Sequence, residues 1–201
     1  MHGVWEENRK SAVMLDEIAL LKGRIARLEQ QIEHLDRLAH RDVLLPLANR
    51  RGMTRELEAM IAKHERHGVP AAVLFVDLDG LKLVNDNFGH AGGDAALVHV
   101  AEQLLTGVRT EDCVARVGGD EFCILLDHAD EASAIDTAAR LANRVADDDF
   151  LINGQPVPLS IAIGLTVVER GDTPAAVLSR ADQAMYRLKP QPSVRSESSG
   201  R

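Results

Sequence analysis

The spacing of apolar residues changes several times along this chain, and each spacing predicts a different kind of element. From about residue 10 to residue 40, apolar side chains recur at alternating steps of three and four, which predicts one long helix. Continuous apolar runs at residues 73–76 and 122–126 instead predict buried strands. The whole pattern predicts helices at residues 50–67, 81–88, 93–108, 131–146 and 173–189, and strands at 73–79, 112–117, 121–127 and 158–168.

The order of these elements indicates the fold. Strands alternate with helices around one central hairpin, whose turn contains the paired glycines Gly118 and Gly119. This order predicts an α+β fold with an antiparallel core, a ferredoxin-like sheet with flanking helices, preceded by the long helix. Gly68 is expected to end the helix at residues 50–67 in the left-handed conformation.

The long N-terminal helix repeats its apolar positions with the heptad period of about 3.5 residues. Ile fills the a positions and Leu or Met the d positions, which favours a parallel two-stranded coiled coil. The residues of this stripe are Met14, Ile18, Leu21, Ile25, Leu28, Ile32 and Leu35. The alternative, an amphipathic helix packed on its own domain, agrees less well with so narrow a stripe. We therefore expect residues 1–40 to form a homodimeric coiled coil.

Composition narrows the possible classes of function. The 201 residues are 45% hydrophobic, which suits one domain of about 150 residues plus an extension. A net charge of −8 and 3% aromatics argue against a nucleic-acid binder. No apolar run approaches the roughly 20 residues of a membrane span, and the N-terminus does not resemble a signal peptide. Because Cys113 and Cys123 both lie inside apolar runs, we expect a reduced, cytoplasmic protein.

Two pairs of carboxylates lie close to glycines. Asp120 and Glu121 follow the paired glycines of the hairpin, and Asp77 and Asp79 close the first buried strand. Like charges held side by side repel, so a cation would stabilise either pair. Hard cations such as Mg²⁺ take oxygen ligands, usually one or two carboxylates plus substrate phosphates. The alternatives are a solvated acidic turn at the hairpin and carboxylates that only cap the turn after the strand.

Six motifs in order make this sequence resemble the GGDEF domain, the diguanylate cyclase family, over about residues 40–189. They are Asp42…Asn49-Arg50-Arg51, Asp77-Leu78-Asp79-Gly80…Asn85-Asp86, Gly89-His90…Gly93-Asp94, Gly118-Gly119-Asp120-Glu121-Phe122, Ser160-Ile161-Ala162-Ile163-Gly164 and Ala181-Asp182…Tyr186…Lys189. The resemblance implies a palm-like sheet related to nucleotide cyclases. It divides the chain into the coiled-coil helix at 1–40, the GGDEF domain at 41–189, and a Ser- and Pro-rich tail at 190–201 that we expect to be disordered.

The resemblance also implies an active site with two Mg²⁺ (or Mn²⁺) ions. Asp77, the carbonyl of Leu78 and Asp120 would bind the metals. Asp120 would also accept the proton of an attacking 3′-hydroxyl group. Glu121 is expected to be a further ligand or an orienting group, whereas capping of the following turn is the favoured interpretation for Asp79.

Contacts with the substrate GTP follow from the same resemblance. Asn85 and Asp94 occupy the guanine-reading positions, and His90 occupies another substrate-contact position. Lys82 and Lys189 occupy positions that approach the triphosphate. Without the resemblance, Asn85 would be a turn residue, Asp94 a charge in the first turn of a helix, and each lysine a solvated side chain.

A regulatory site is implied upstream of the hairpin. Arg109-Thr110-Glu111-Asp112 matches the family's Arg-x-x-Asp site for the inhibitory product cyclic di-GMP, at the same offset from Gly118. Arg140 lies where the family often has a second arginine. Alone, such a tetrapeptide would be a surface ion pair that contributes little to stability.

Three positions depart from the family pattern. Leu45-Pro46 replaces the usual Thr-Gly of the connector, and Pro46 fixes φ and removes a hydrogen-bond donor. Leu81 replaces a common Phe. The Gly-Arg-Asn that usually follows Lys189 is absent, which removes one expected contact with the triphosphate.

The sequence therefore predicts a diguanylate cyclase that condenses two GTP into cyclic di-GMP and two pyrophosphates. Each domain would hold one GTP, so two domains must meet, and the coiled coil would make that encounter intramolecular. The alternatives are a non-catalytic receptor for cyclic di-GMP and a coiled-coil scaffold with a vestigial domain. The presence of Asp77, Asp94 and Asp120 favours the enzyme.

Overall fold

The computed structural model describes residues 2–188, and the following elements lie in that range. The helices are α1 (His2–His40), α2 (Arg50–His67), α3 (Leu81–Gly107), α4 (Glu131–Asp147) and α5 (Pro174–Leu188). The strands are β1 (Ala48–Asn49), β2 (Ala71–Leu78), β3 (Cys113–Arg116), β4 (Glu121–Asp127), β5 (Leu151–Ile152), β6 (Gln155–Pro156) and β7 (Ile161–Val167). Every predicted strand is present, and so is every predicted helix except that the two predicted at residues 81–88 and 93–108 form the single helix α3. The ends of these elements differ from the predictions by a few residues.

Five strands form the main sheet in the order β1-β3-β4-β2-β7. Strand β2 pairs antiparallel with β4 on one side and with β7 on the other. Strand β3 pairs antiparallel with β4, and the short β1 pairs parallel with β3. The predicted α+β fold, a ferredoxin-like sheet with flanking helices preceded by a long helix, is confirmed.

Alternate residues of β2 belong to two separate apolar cores, because successive side chains of a strand point to opposite faces. Ala72, Leu74 and Val76 pack in the core that includes α3 and α4. Val73 and Phe75 pack in the core that includes α2 and α5. Burial on both faces explains why this strand has a continuous apolar run instead of an alternating pattern.

Local polar contacts define both ends of α2. The side chain of Asn49 accepts hydrogen bonds from the backbone N–H groups of Arg51 (2.9 Å) and Gly52 (3.0 Å), as an N-cap residue does. At the other end, Gly68 has a φ of 65°, and its N–H donates to the carbonyl of His64 (2.7 Å). The predicted left-handed glycine after this helix is therefore confirmed.

Helix α1 forms a unit of its own, and the boundary between the two units lies between Ala39 and His40. The apolar stripe predicted for the coiled coil is exposed on the single chain, from 41% at Ile18 to 66% at Ile32. Such a stripe is suited to burial against a second helix. The coiled coil and the domain limits stay predictions. The predicted tail and Lys189 lie outside the described residues.

Helix α3 replaces two predicted helices at residues 81–88 and 93–108. The two parts follow one another directly, with a kink at Gly89, where φ is 73°. A single glycine changes the direction of the chain there, because it adopts a left-handed φ without steric cost. Residues 90–92 are therefore helical instead of forming a linker. Within residues 2–188, no helix is apolar over the length that crossing a bilayer requires.

Strands β1, β5 and β6 were not predicted. Strands β5 and β6 form a hairpin whose turn residues Asn153 and Gly154 have φ values of 54° and 78°. An Asn-Gly pair between short strands is a strong local signal for such a turn, and it could have revealed this hairpin. Strand β1 has only two residues and carries no comparable signal.

Helix α5 packs directly on strand β7 at Gly164. A Cβ atom on Gly164 would lie closer than 3.0 Å to the backbone nitrogen of Met185 and the backbone oxygen of Ala181. Arg180 of α5 binds the segment that precedes this helix, because its guanidinium group donates two hydrogen bonds of 2.7 Å to the carboxylate of Asp172. This bidentate contact lowers the pKa of Asp172.

We expect Gly164→Ala to lower the free energy of unfolding by about 3 kcal/mol, because the added methyl group collides with the backbone of α5. Chemical denaturation followed by circular dichroism measures this loss. Gly119→Ala is the matched control, since the same methyl group would meet no atom within 4 Å. The control should change stability by less than about 0.5 kcal/mol. Equal stability of Gly164→Ala and the parent would contradict the close approach.

Candidate active site

The end of β2 and the turn before β4 meet at one edge of the sheet. The backbone N–H of Leu78 donates to the carbonyl of Asp120 at 2.9 Å. One residue earlier, Asp77 lies opposite Glu121 in the antiparallel register. Opposed residues on neighbouring strands have Cβ atoms about 5 Å apart. The structure therefore brings these four residues together, and we call this group the acidic edge.

The turn at Gly118-Gly119 is tight, as predicted. The carbonyl of Glu121 accepts hydrogen bonds from the backbone N–H groups of Val117 (2.9 Å) and Gly118 (3.3 Å). The carboxylate of Glu121 folds back over the turn, where a Cβ atom on Gly118 would overlap its Oε2 atom. The position of the Glu121 side chain therefore requires glycine at residue 118.

Two arginines bind the carbonyl groups of this turn. Arg116 donates from Nε to the carbonyl of Gly118 (3.2 Å) and from Nη2 to that of Gly119 (2.8 Å). Arg50, the first residue of α2, donates to the carbonyl of Val117 (3.0 Å). Because two adjacent glycines have many accessible conformations, these hydrogen bonds limit the movement of the turn that carries Asp120.

Arg116 also connects the turn to the segment that follows α1. Its Nη1 atom lies 3.5 Å from Oδ1 of Asp42, and that oxygen also accepts the backbone N–H groups of Leu44 and Leu45 (both 2.9 Å). Sequence reasoning assigned no role to Asp42 or Arg116. The two residues are far apart in the chain, and no local pattern reveals that they meet.

Pro46, one of the departures from the family pattern, lies in a closed turn of this connecting segment. The backbone N–H of Asp42 donates to the carbonyl of Leu47 at 3.0 Å, so the turn closes around Leu45-Pro46. Leu45 and Leu47 are both buried in the domain core. The missing N–H of Pro46 therefore does not prevent the connector from packing on the domain.

Asp79 does not have the role that the sequence suggested. The N-cap position of α3 is Gly80, and no side-chain hydrogen bond caps the helix there. The carboxylate of Asp79 instead accepts a hydrogen bond from Oγ of Ser160 (2.8 Å), and its backbone N–H donates to the carbonyl of Ser160 (2.9 Å). The expected capping role is therefore wrong, because Asp79 joins the end of β2 to the residue before β7.

The substrate positions predicted in α3 lie on both sides of its kink. Asn85 precedes Gly89, and His90 and Asp94 follow it. The amide of Asn85 fills the space beside Gly93, since a Cβ atom on Gly93 would overlap the Asn85 Oδ1 atom. Gly93 therefore allows the Asn85 amide to lie against the part of the helix that carries Asp94.

The structure describes one of the two lysines that were predicted to approach a triphosphate. Lys82 lies in the first turn of α3 with an exposed side chain. Lys189 lies outside the described residues. Their contacts with a triphosphate stay predictions.

The ligand atoms at the acidic edge suit a hard cation. Asp77 and Asp120 supply carboxylates, and Leu78 supplies a carbonyl, all oxygen ligands of the kind that Mg²⁺ prefers. In the described part of the chain, no three His, Cys, Asp or Glu side chains form a group that could hold a metal ion. A metal ion at this edge would therefore need further oxygens from a bound substrate, as Mg²⁺ commonly does at nucleotide sites.

The residues of the predicted product site meet at the other end of β4. Arg109, Asp112 and Arg140 line one cavity of about 70 Å³, which we call the product cavity. The carboxylate of Asp112 accepts the backbone N–H groups of Arg109 (2.9 Å) and Asp127 (3.1 Å), and burial raises its pKa. Arg140 donates to the carbonyl of Gly107, the last residue of α3.

Comparison with known proteins gives the family. Residues 39–195 match the family described as diguanylate cyclase, GGDEF domain. The chain belongs to the GGDEF domain family. The diguanylate cyclase TpbB of Pseudomonas aeruginosa is 39% identical over 180 residues, which are 89% of this chain and 41% of TpbB. The response regulator PleD of Caulobacter vibrioides is 36% identical over 166 residues, which are 81% of this chain and 36% of PleD. This GGDEF chain thus spans less than half the length of these relatives.

Solved structures agree with this assignment. A structure of TpbB that comprises only its GGDEF domain has a TM-score of 0.70 at 39% identity, covering 74% of this chain and 87% of that one. The coiled coil and GGDEF domain of DgcB from Caulobacter crescentus, in complex with c-di-GMP, has a TM-score of 0.79 at 24% identity. The matched region covers 86% of this chain and 92% of the DgcB chain. At this lower identity, the likeness to DgcB shows the fold alone.

Proposed function

We propose that this GGDEF domain is a diguanylate cyclase. Two GTP would give one cyclic di-GMP and two pyrophosphates. Each 3′-hydroxyl oxygen attacks the α-phosphorus of the other GTP, a P–O bond forms, and the bond to pyrophosphate breaks. The observation that supports the proposal most strongly is the hydrogen bond between Leu78 and Asp120, because it brings two acidic segments to one edge of the sheet.

The residues of the acidic edge would have different roles. Asp77, the carbonyl of Leu78 and Asp120 would hold two Mg²⁺ or Mn²⁺ ions, which stabilise the attacking and leaving oxygens of an in-line displacement when bound. Asp120 would accept the proton of the 3′-hydroxyl group. Glu121 would orient this site or complete its ligands. Lys82 would neutralise charge on the triphosphate.

Asn85 and Asp94 would select the base. The edge of guanine presents N–H donors and a carbonyl acceptor, which an acidic acceptor and an amide can match. The packing of Asn85 on Gly93 supports this role, because it holds the amide next to the turn that carries Asp94. His90, which follows the kink, would make a further contact with the nucleotide.

The reaction would require two GGDEF domains, since each would hold one GTP. The exposed apolar stripe of α1 supports a parallel coiled coil between two chains. Such a link would raise the effective concentration of one domain near the other to about the millimolar range. The enzyme would therefore be a homodimer.

A cytoplasmic location is part of the proposal. Cys113 and Cys123 are free thiols, and thiols stay reduced in that compartment. Burial raises the pKa of Cys113 to about 11, which makes its thiol a poor nucleophile and suits a structural residue.

A receptor that binds cyclic di-GMP without making it is the second candidate, because Arg109, Asp112 and Arg140 line one cavity. The acidic edge favours the enzyme, since a receptor needs no such group of carboxylates. Purified protein incubated with GTP and Mg²⁺ distinguishes the candidates. A cyclase produces cyclic di-GMP and pyrophosphate, a receptor binds cyclic di-GMP without consuming GTP, and a scaffold does neither.

We expect Asp77→Asn or Asp120→Asn to lower the rate of product formation by at least about 10³-fold, because each removes a charged metal ligand. Excess chelator should abolish turnover, and added Mg²⁺ or Mn²⁺ should restore it. Asp149→Asn, at an exposed residue between α4 and β5, is the matched control and should keep full activity. Undiminished turnover in excess chelator would exclude a metal-dependent site.

Base selection is tested by comparing GTP with ATP. The parent should prefer GTP by roughly 10⁴-fold, since adenine would leave the polar groups of Asn85 and Asp94 unpaired. Asp94→Ser should reduce that preference. Gly93→Ala should reduce it as well, because the methyl group displaces the Asn85 amide. Gly23→Ala is the control for the added methyl, which meets no atom within 4 Å there. Similar consumption of ATP and GTP by the parent would contradict the assignment.

Substitutions in the heptad stripe of α1 test the proposed dimer. Ile25→Glu with Leu28→Glu should give monomers with little activity at low protein concentration, because two buried stripe positions would become charged. Activity should recover as concentration rises. The control pair, Arg27→Glu with Gln30→Glu, adds the same side chains outside the stripe and should stay dimeric. If light scattering finds that the Ile25/Leu28 variant is dimeric, the stripe does not form the dimer.

Product inhibition is tested at Arg109. Arg109→Ala should keep the initial rate of GTP turnover and lose inhibition by cyclic di-GMP, because arginine can bind a phosphate or guanine with two hydrogen bonds. Product should then accumulate further in a closed reaction. Arg55→Ala, at an exposed residue of α2, is the control and should remain inhibited. Equal affinity of Arg109→Ala and the parent in calorimetry would place the inhibitory site elsewhere.

A further inference from the structure

The product cavity contains a basic residue outside the Arg-x-x-Asp pattern. His128 lines the cavity together with Arg109 and Arg140. It directly follows β4, and its φ of 54° lies in the left-handed region. Histidine is among the non-glycine residues that adopt this conformation more often than most. The backbone conformation is thus one reason for a histidine here.

Two carboxylates hold the backbone on which His128 lies. Oδ1 of Asp127 accepts the backbone N–H of His128 (3.0 Å), and Oδ1 of Asp112 accepts that of Asp127 (3.1 Å). The turn after β4 is therefore connected to the loop that contains Arg109 and Asp112. These hydrogen bonds hold the backbone of His128, which carries the imidazole ring, in place relative to the cavity.

Lys63 of α2 offsets the charge of Asp127, an acidic residue that also lines the cavity. Its Nζ atom lies 2.5 Å from Oδ2 of Asp127. Burial alone would raise the pKa of Asp127, but the hydrogen bond and the charge of Lys63 lower it on balance. With this carboxylate neutralised by its partner, the guanidinium groups of Arg109 and Arg140 make the cavity suitable for an anion.

Lys63 also determines which atoms of the His128 ring can donate. Its Nζ atom lies 3.2 Å from Nε2 of His128. An ammonium group has donors only, so a hydrogen bond between the two groups requires Nε2 to accept and leaves Nδ1 as the ring nitrogen that can donate. The ring therefore keeps one N–H donor for another partner.

We propose that His128 is a third phosphate-binding residue of the product cavity, which donates from its ring to a phosphodiester oxygen of cyclic di-GMP beside Arg109 and Arg140. This inference rests on the proposed product site. Lys63 is a positioning residue, because it orients the ring and offsets the charge of Asp127.

Calorimetric titration of the full chain with cyclic di-GMP tests the proposal. His128→Gly removes the ring and keeps the left-handed backbone, which glycine adopts without strain. We expect it to bind cyclic di-GMP about 10-fold more weakly, the effect of one lost hydrogen bond to a charged group. His128→Asn also tolerates the backbone and keeps a short amide donor, so its affinity should lie between the two. The initial rate of GTP turnover should not change in either variant.

Lys63→Met gives a second, independent measurement. This variant should also bind cyclic di-GMP more weakly, although Lys63 does not line the cavity. Thermal unfolding of each variant monitors the fold. If His128→Gly loses stability but binds cyclic di-GMP as tightly as the parent, the ring has a structural role only and the proposal is wrong.

The same titration distinguishes failure of this inference from failure of the proposed function. A parent that makes cyclic di-GMP and loses binding through Arg109→Ala, but not through His128→Gly, overturns the role of His128 alone. A parent that makes cyclic di-GMP without binding it at this cavity overturns both the product site and the role of His128. The assignment as a cyclase is then unaffected.

Discussion

The antiparallel register between β2 and β4 is the constraint on which the rest of this structure depends. It places Asp77 opposite Glu121 and allows the N–H of Leu78 to reach the carbonyl of Asp120. The same register sends alternate residues of β2 into the two cores on either face of the sheet. A shift of one residue would exchange the faces of all these side chains. The apolar packing of β2 therefore maintains the polar geometry of the acidic edge.

The turn that carries Asp120 needs support from outside itself. Glycine at 118 is required by the folded-back carboxylate of Glu121, and Gly119 adds further freedom to the backbone. Arg116 and Arg50 restrict this freedom by binding three consecutive carbonyl groups. Arg116 lies near Asp42 as well, so the turn and the connector after α1 share one guanidinium group. A change in the connector could thereby alter the turn.

Strand β4 links two sites of opposite character. It begins at Glu121 in the acidic edge and ends at Asp127 in the product cavity, seven residues that span about 20 Å. The carboxylates of the acidic edge suit cations, whereas Arg109 and Arg140 make the product cavity suitable for anions. A ligand of the cavity would thus influence the acidic edge through the protein, and not by direct competition.

Local sequence patterns predicted many of the helices, strands and turns of this protein. The continuous run of β2, the glycine after α2 and the glycines of the hairpin predicted their elements, because periodicity and turn chemistry depend on neighbouring residues. The candidate residues of the acidic edge came from motifs, and the register then brought them together. Only the tertiary structure showed that Asp79 binds Ser160, that Asp42 lies beside Arg116, and that His128 joins the product cavity. Each of these contacts joins segments that are separated in the chain. Such segments meet only through the packing of the helices and strands, and no local sequence pattern predicts that packing.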